Sequence, residues 1–401
     1  MCTRLQLTAY LKIKLNAMTL TYSTHYGDVP LPEGIVSRKI QNNNGLEMHI
    51  LEARPDKKDR PLIILAHGFP ELAYSWRHIL PEIASLGYAV IAPDQRGFGR
   101  TVGWSNQYEN SLEPFNLVNL ARDIVGLVKA LGYTEVKAII GHDAGSYVAG
   151  ICALIRPDIF KSCVMMSAPF TGVASMVEED ESALTRPTIH DLEARLRALK
   201  EPRKHYQVYF STPPANNDLM NAPQGLHQFL RAYYHHKSAA WVKNRPFKLS
   251  SWDAQVIAQM PTYYIMHRDQ TMPQTVAPHM PNENEIRSCQ WLPDEELAVY
   301  VSEYTRTTFQ GGLQWYRCTI EGINQSALSL FSGQHIRVPS LFLSGKNDWG
   351  IHQTPGAIEH MQHLVCTSMK EIVLIDDAGH WVQQEQSQAV IDSLSDFLRS
   401  L

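Results

Sequence analysis

Short apolar runs, spaced between stretches of helical pattern, constrain this chain more than any other feature. Pro61-Leu-Ile-Ile-Leu-Ala66 carries no polar side chain, and Gly87 to Ala92, Val136 to Gly141 and Ser162 to Met166 are nearly as apolar. Continuous runs of this length mark strands buried on both faces, the condition of a parallel sheet. A helix is expected from Ser75 to Leu86. Another spans Leu117 to Leu131, where Leu117, Leu120, Ile124, Leu127, Val128 and Leu131 recur at helical spacing. Strands alternating with helices give an α/β fold with a mostly parallel, doubly wound sheet.

The alternation stops near Ala168. From there to Val338 the chain reads as helices and loops, with an amphipathic helix at Thr188 to Leu199 and a loop at Pro281 to Glu285. Tyrosines and tryptophans gather in this region. Strand and helix patterns resume with Ser340 to Ser344, Thr354 to Leu364, Lys370 to Ile375 and a closing helix from Gln384 to Leu401. One sheet interrupted by a helical lid accounts for this. The expected parts are a lead-in at 1–44, a first core segment at 45–167 opening with a strand in Gly45 to Ala53, a lid at 168–338, and a second core segment at 339–401.

Composition narrows the function classes. The chain has 401 residues, 44% hydrophobic and 19% charged, with a net charge of −4. That balance gives no electrostatic footprint for nucleic acid or an anionic membrane. The six cysteines have no paired spacing, which fits reduced thiols better than a disulfide framework. No apolar run approaches the ~18–20 residues that span a bilayer. Lys12 and Lys14 interrupt any signal-peptide core between Met1 and Tyr22, and the final Arg-Ser-Leu differs from the Ser-Lys-Leu peroxisomal address. A cytoplasmic protein, monomer or homodimer, is expected.

The chemistry gathers around Gly141-His-Asp-Ala-Gly145, where an apolar strand meets a helix. A sharp strand-to-helix turn needs small neighbours, because its central residue is strained and other backbone passes close by. The turn lifts that residue's side chain clear of the sheet, beside the first N–H groups of the helix. Asp143 is therefore a candidate nucleophile, although an Asp opening a helix is commonly just a cap. Three other strands end in chemically loaded residues: His67-Gly-Phe-Pro, Ser344-Gly-Lys-Asn-Asp-Trp349 and Asp376-Asp-Ala-Gly-His-Trp381. Open α/β sheets bind ligands at the carboxyl ends of their strands. The order Asp143, Asp348, His380 is the nucleophile–acid–histidine order of the α/β-hydrolase triad.

In these motifs the chain resembles the epoxide hydrolase branch of the α/β-hydrolases. The matching residues are His67-Gly-Phe-Pro-Glu71, Asp94-Gln-Arg-Gly-Phe-Gly99, Gly141-His-Asp-Ala-Gly145, Gly345-Lys-Asn-Asp348 and Gly379-His-Trp-Val-Gln-Gln-Glu385. The resemblance covers nearly all of the chain from about Leu46. Inside the lid, His205-Tyr-Gln-Val-Tyr-Phe210 and Gln314-Trp-Tyr-Arg317 match the two places where the family supplies paired tyrosines.

The resemblance implies Asp143 as nucleophile, His380 with Asp348 as base and orienter, and Tyr206 and Tyr316 as ring-opening acids. It implies an oxyanion hole at the backbone of Phe69 and Ala144, and substrate contacts at His67, Pro70, Trp315 and Trp381. Tyr209, Tyr233 and Tyr264 are expected only to line the pocket. The substrate would be a small epoxide, apolar or aromatic, with no metal and no organic cofactor.

One position departs from the family, which usually has Trp where this chain has Ala144. In the related haloalkane dehalogenases that indole helps hold the departing halide. Its loss favours epoxide opening and widens the pocket. A dehalogenase, another aspartyl-ester hydrolase, or a ligand-binding protein keeping the fold are the alternatives. The pairs His360/His363 and His235/His236 lack partners at zinc spacing. Glu178-Glu-Asp-Glu181 reads as a solvated lid edge.

Overall fold

The structure, a computed structural model, describes residues 22–41, 44–53, 59–174 and 187–401. Its centre is an eight-stranded sheet. The strands are β1 (Ile35–Gln41), β2 (Glu47–Ala53), β3 (Leu62–Ala66), β4 (Ala89–Pro93), β5 (Ala138–His142), β6 (Cys163–Met166), β7 (Ser340–Gly345) and β8 (Met369–Ile375). Their order across the sheet is β8-β7-β6-β5-β3-β4-β2-β1. The pairings from β4 to β8 are parallel, whereas β1 and β2 run antiparallel at one edge.

Helices α1 (Ile79–Ser85), α2 (Leu117–Ala130), α3 (Ala144–Ile155) and α9 (Ser387–Arg399) cover the sheet. Every residue of β3, β5 and β7 is buried, as their apolar sequences require. The strand order departs in opposite directions from β3, toward β4 on one side and β5 on the other. The loops after β3 and β5 therefore meet at the switch point, where such sheets bind ligands.

Between β6 and β7 lies the lid. Its described helices include α4 (Ile189–Arg197), α5 (Tyr206–Phe210), α6 (Leu226–Lys237), α7 (Asp294–Thr307) and α8 (Gln310–Ile320). Lid and sheet share one apolar core. The closest seam is between two glycines. A Cβ on Gly311 would stand 2.1 Å from the Gly97 carbonyl oxygen, so α8 rests directly on the loop after β4.

Several expectations are corrected. The sheet begins before residue 45, because β1 pairs along its whole length with β2. As an edge strand β1 keeps polar residues among its apolar ones, which weakens its signal. The lid also contains a small ladder, Arg203–His205 antiparallel to Ile265–His267. Pro281 to Glu285 is no loop: a helix covers Glu283–Ser288, opened by a capping box in which Asn282 and Glu285 exchange hydrogen bonds. Residues 1–21 and the acidic run Glu178 to Glu181 lie outside the described residues. Among the described residues no helix is long and apolar enough to cross a membrane. The five described cysteines are free.

Candidate active site

Asp143 sits at the tip of the turn between β5 and α3 with φ 52° and ψ −120°. Few residues other than glycine adopt this backbone, and holding it costs on the order of 1–3 kcal/mol. Its side chain makes no capping bond to α3. The cap reading therefore gives way, and the carboxylate points elsewhere. Room for it comes from glycines: a Cβ on Gly68 would lie 2.4 Å from that of Asp143, and one on Gly145 would lie 2.3 Å from the Ala66 carbonyl oxygen.

The carboxylate has two engagements. Phe69 N–H donates to Oδ1 at 3.0 Å, and His380 Nε2 lies 3.3 Å from Oδ2. His380 Nδ1 is 3.2 Å from both oxygens of Asp348, which also accepts from Gly350 N–H at 2.7 Å. The side chain of Asp143 is 15% exposed, while those of His380 and Asp348 are 2% and 1% exposed. The nucleophile candidate is thus partly exposed, while its two partners are buried. The N–H of Ala144 opens α3, where first-turn amides have no helical acceptor. It is the second donor position of the candidate oxyanion hole.

The electrostatics follow from this arrangement. Burial raises the Asp143 pKa, but the hydrogen bond and charge of His380, together with Lys237, hold it well below the carboxylate range. Asp348 is likewise pushed up by burial and brought down further by His380. Burial and Lys237 lower the His380 pKa. Asp348 and the hydrogen bonds to both carboxylates outweigh them, and the net shift is upward.

The lid brings its two tyrosines together. The rings of Tyr206 and Tyr316 are 5.9 Å apart, edge to face. Phe210 packs 5.1 Å from the Tyr316 ring, and Phe69 packs 5.4 Å from it. Burial, then the charge of Asp143, raises both phenols well above their ordinary value, so both keep their protons at neutral pH.

The four residues expected to contact substrate all make hydrogen bonds within the protein. His67 Nδ1 bonds the Gly68 carbonyl at 2.8 Å and Nε2 accepts from Gln95 N–H at 3.1 Å, so neither nitrogen is free for a ligand. The Trp315 indole donates to the Arg96 carbonyl at 3.0 Å, and that of Trp381 to the Tyr234 carbonyl at 2.8 Å. The carbonyl of Pro70 accepts from the Tyr234 hydroxyl at 2.9 Å. Pro70, Trp315 and Trp381 tie loops to the lid, and His67 ties two core loops together.

Sequence reasoning gave no role to three groups. His142 donates from Nε2 to the His380 carbonyl at 2.7 Å and shares a proton with Glu71 through Nδ1 at 2.6 Å. Glu71 is held in turn by Gln383 and Gln384 at 2.8 and 3.0 Å. Both sat inside quoted motifs, and only the fold could pair them. The third is Lys237, at the end of α6. Among the described residues no group of three or more potential metal ligands gathers.

This fold and this site define an α/β hydrolase. The family model described as alpha/beta hydrolase fold matches residues 61–386, and the chain belongs to that family, in its epoxide hydrolase branch. It is 31% identical to epoxide hydrolase A of Mycobacterium tuberculosis, across 92% of this chain and 99% of that one. The crystal structure of epoxide hydrolase A from Mycobacterium thermoresistibile is similar at 32% identity and a TM-score of 0.69, covering 91% of this chain and 98% of its own. That of potato (Solanum tuberosum) epoxide hydrolase I is similar at 26% identity and 0.69, covering 92% and 100%.

Proposed function

We propose that this protein is an epoxide hydrolase that opens its substrate through an ester of Asp143. The observation that carries the reading is the carboxylate itself. It stands on a strained turn, bonded by Phe69 N–H on one oxygen and facing His380 on the other, below two phenols that hold their protons. The names of the relatives support the substrate class.

Asp143 attacks an epoxide carbon while Tyr206 and Tyr316 hydrogen-bond the ring oxygen. The carbon–oxygen bond breaks, a phenol protonates the departing oxygen, and the product is a hydroxyalkyl ester. A phenol does this at neutral pH because the alkoxide is far more basic than a phenolate. His380, oriented by Asp348, then takes a proton from water, and the hydroxide adds to the ester carbonyl. The N–H groups of Phe69 and Ala144 hold the oxyanion. Collapse releases the diol oxygen, which takes the proton from His380. The proton left on the regenerated carboxyl returns to the tyrosinate. Water and epoxide have become a vicinal diol, and no step draws on a metal or organic cofactor.

The chamber wall near the phenols is built from Phe69, Phe210 and Tyr316, which supports an apolar or aromatic epoxide. The test is the intact mass of a His380→Gln variant exposed to epoxides and haloalkanes. An adduct of the whole epoxide mass, mapped to Asp143, is the expected result. An adduct lacking the halogen would make the protein a dehalogenase. Ligand-induced thermal stabilisation with no adduct would leave it a binding protein.

A further inference from the structure

Lys237 is the last residue of α6 and is 2% exposed. Lysines are almost never fully buried unless paired. Among the described residues no carboxylate lies within ion-pair distance of it. Its ammonium instead faces four rings: Tyr264 and Trp381 at 5.1 Å each, Tyr233 at 5.5 Å and Tyr263 at 5.9 Å. An aromatic cage holds a cation without cancelling its charge. The backbone of the same residue reaches the triad, because its carbonyl accepts from His380 N–H at 3.0 Å.

The charged surroundings of His380 can be counted from each neighbouring element. Asp143, from the turn after β5, faces Nε2, and Asp348, from the turn after β7, faces Nδ1. Glu71 and His142 lie behind the loop. They pair with each other at 2.6 Å, and His142 also bonds the His380 carbonyl at 2.7 Å. Glu385 grips the backbone of the His380 loop through Gly379 N–H and Trp381 N–H. Lys237 comes from the lid. Its field bears on His380, Asp143 and Asp348 alike.

We propose that Lys237 is a positioning residue for the second half-reaction: its caged ammonium keeps His380 in its base form once Asp143 has become an ester. This rests on the reading of Asp143 as nucleophile. Before attack, two carboxylates oppose one ammonium around the imidazole, and the proton on His380 is favoured. Esterification removes the charge of Asp143. Asp348 and Lys237 then oppose each other, and the imidazole releases its proton when water has to be activated. The switch is driven by the reaction itself and needs no movement of the chain.

The test uses the full-length protein in single turnovers of styrene oxide, resolving ester formation from ester hydrolysis between pH 5 and 9. In Lys237→Met, ester formation should stay within about twofold, while hydrolysis at pH 5, below the limb of both forms, falls about tenfold, the effect of one pKa unit. That loss should recover as pH rises, and Lys237→Arg should restore the wild-type limb. Glu385, pushed up to about 7 by burial, titrates in the same range. Its share of the limb is separated with Glu385→Gln. A slower hydrolysis with an unmoved limb, or equal losses in both steps, would overturn the proposal.

A second measurement needs no lysine variant. Asp143→Asn imitates the uncharged ester, and the His380 imidazole should titrate there below its ordinary value of 6.5. Titration above that value would refute the role of Lys237. A wild-type protein that forms no Asp143 ester from any epoxide would instead remove the proposed function.

Discussion

At the scale of single residues, the proposed mechanism sets two carboxylates to different tasks. Asp143 stands partly exposed with one N–H donor on it, whereas Asp348 is sealed and bonded to Gly350 and His380. One can reach a substrate and the other cannot. Asp348→Asn should leave ester formation intact and slow hydrolysis of the ester by roughly 10³–10⁴, the cost of misorienting a triad imidazole. The pH dependence fixes the sign. Asp348 helps to raise the His380 pKa, so its carboxylate holds the hydrolysis limb at a higher pH than the ester-bound imidazole would otherwise show. In Asp348→Asn the surviving limb should move to lower pH. Stopped-flow hydrolysis of preformed ester across pH measures both effects.

At the scale of elements, the sheet was legible because its strands are apolar throughout. β3, β5 and β7 stand within two residues of the apolar runs expected for them, and the order of their loaded termini suggested the triad. The edge strand β1 was missed because half of its residues face outward. The helix at Glu283–Ser288 was missed although Asn282 and Glu285 carry the capping-box pattern; Pro281 and the density of polar residues hid it. Neither Lys237 nor the His142–Glu71 pair could be read, since each depends on contacts between segments far apart in sequence.

The same scale shows what holds the base in place. Glu385 accepts from Gly379, Trp381 and Ala239 N–H groups at 2.9, 3.0 and 2.8 Å, joining the His380 loop to the segment after α6. Glu385→Gln turns part of this acceptor into a donor. It should cost about 1–3 kcal/mol, the price of leaving a buried polar group unmade. Thermal unfolding measures the loss, and His380-dependent hydrolysis should fall with it.

For the whole molecule, the lid is welded to the sheet. The Gly97–Gly311 seam, the Tyr234 hydroxyl on Pro70 and the Trp381 indole on Tyr234 join the two parts. Near-ultraviolet and far-ultraviolet transitions should therefore coincide on heating, as in one cooperative unit. Gly311→Val forces backbone apart at the seam and should lower stability by about 1–3 kcal/mol, the usual cost of overpacking. Separate transitions in the wild type would sink this picture.

The backbone angle of Asp143 carries one more consequence. A protein selected only to persist would put glycine at φ 52°, ψ −120°. Asp143→Gly should accordingly melt above Asp143→Asn, both variants lacking the charge and only one relieving the strain. The turn is a thermodynamic debt kept on the books for the sake of chemistry, and a search for more heat-resistant sequences would abandon the reaction at this residue first.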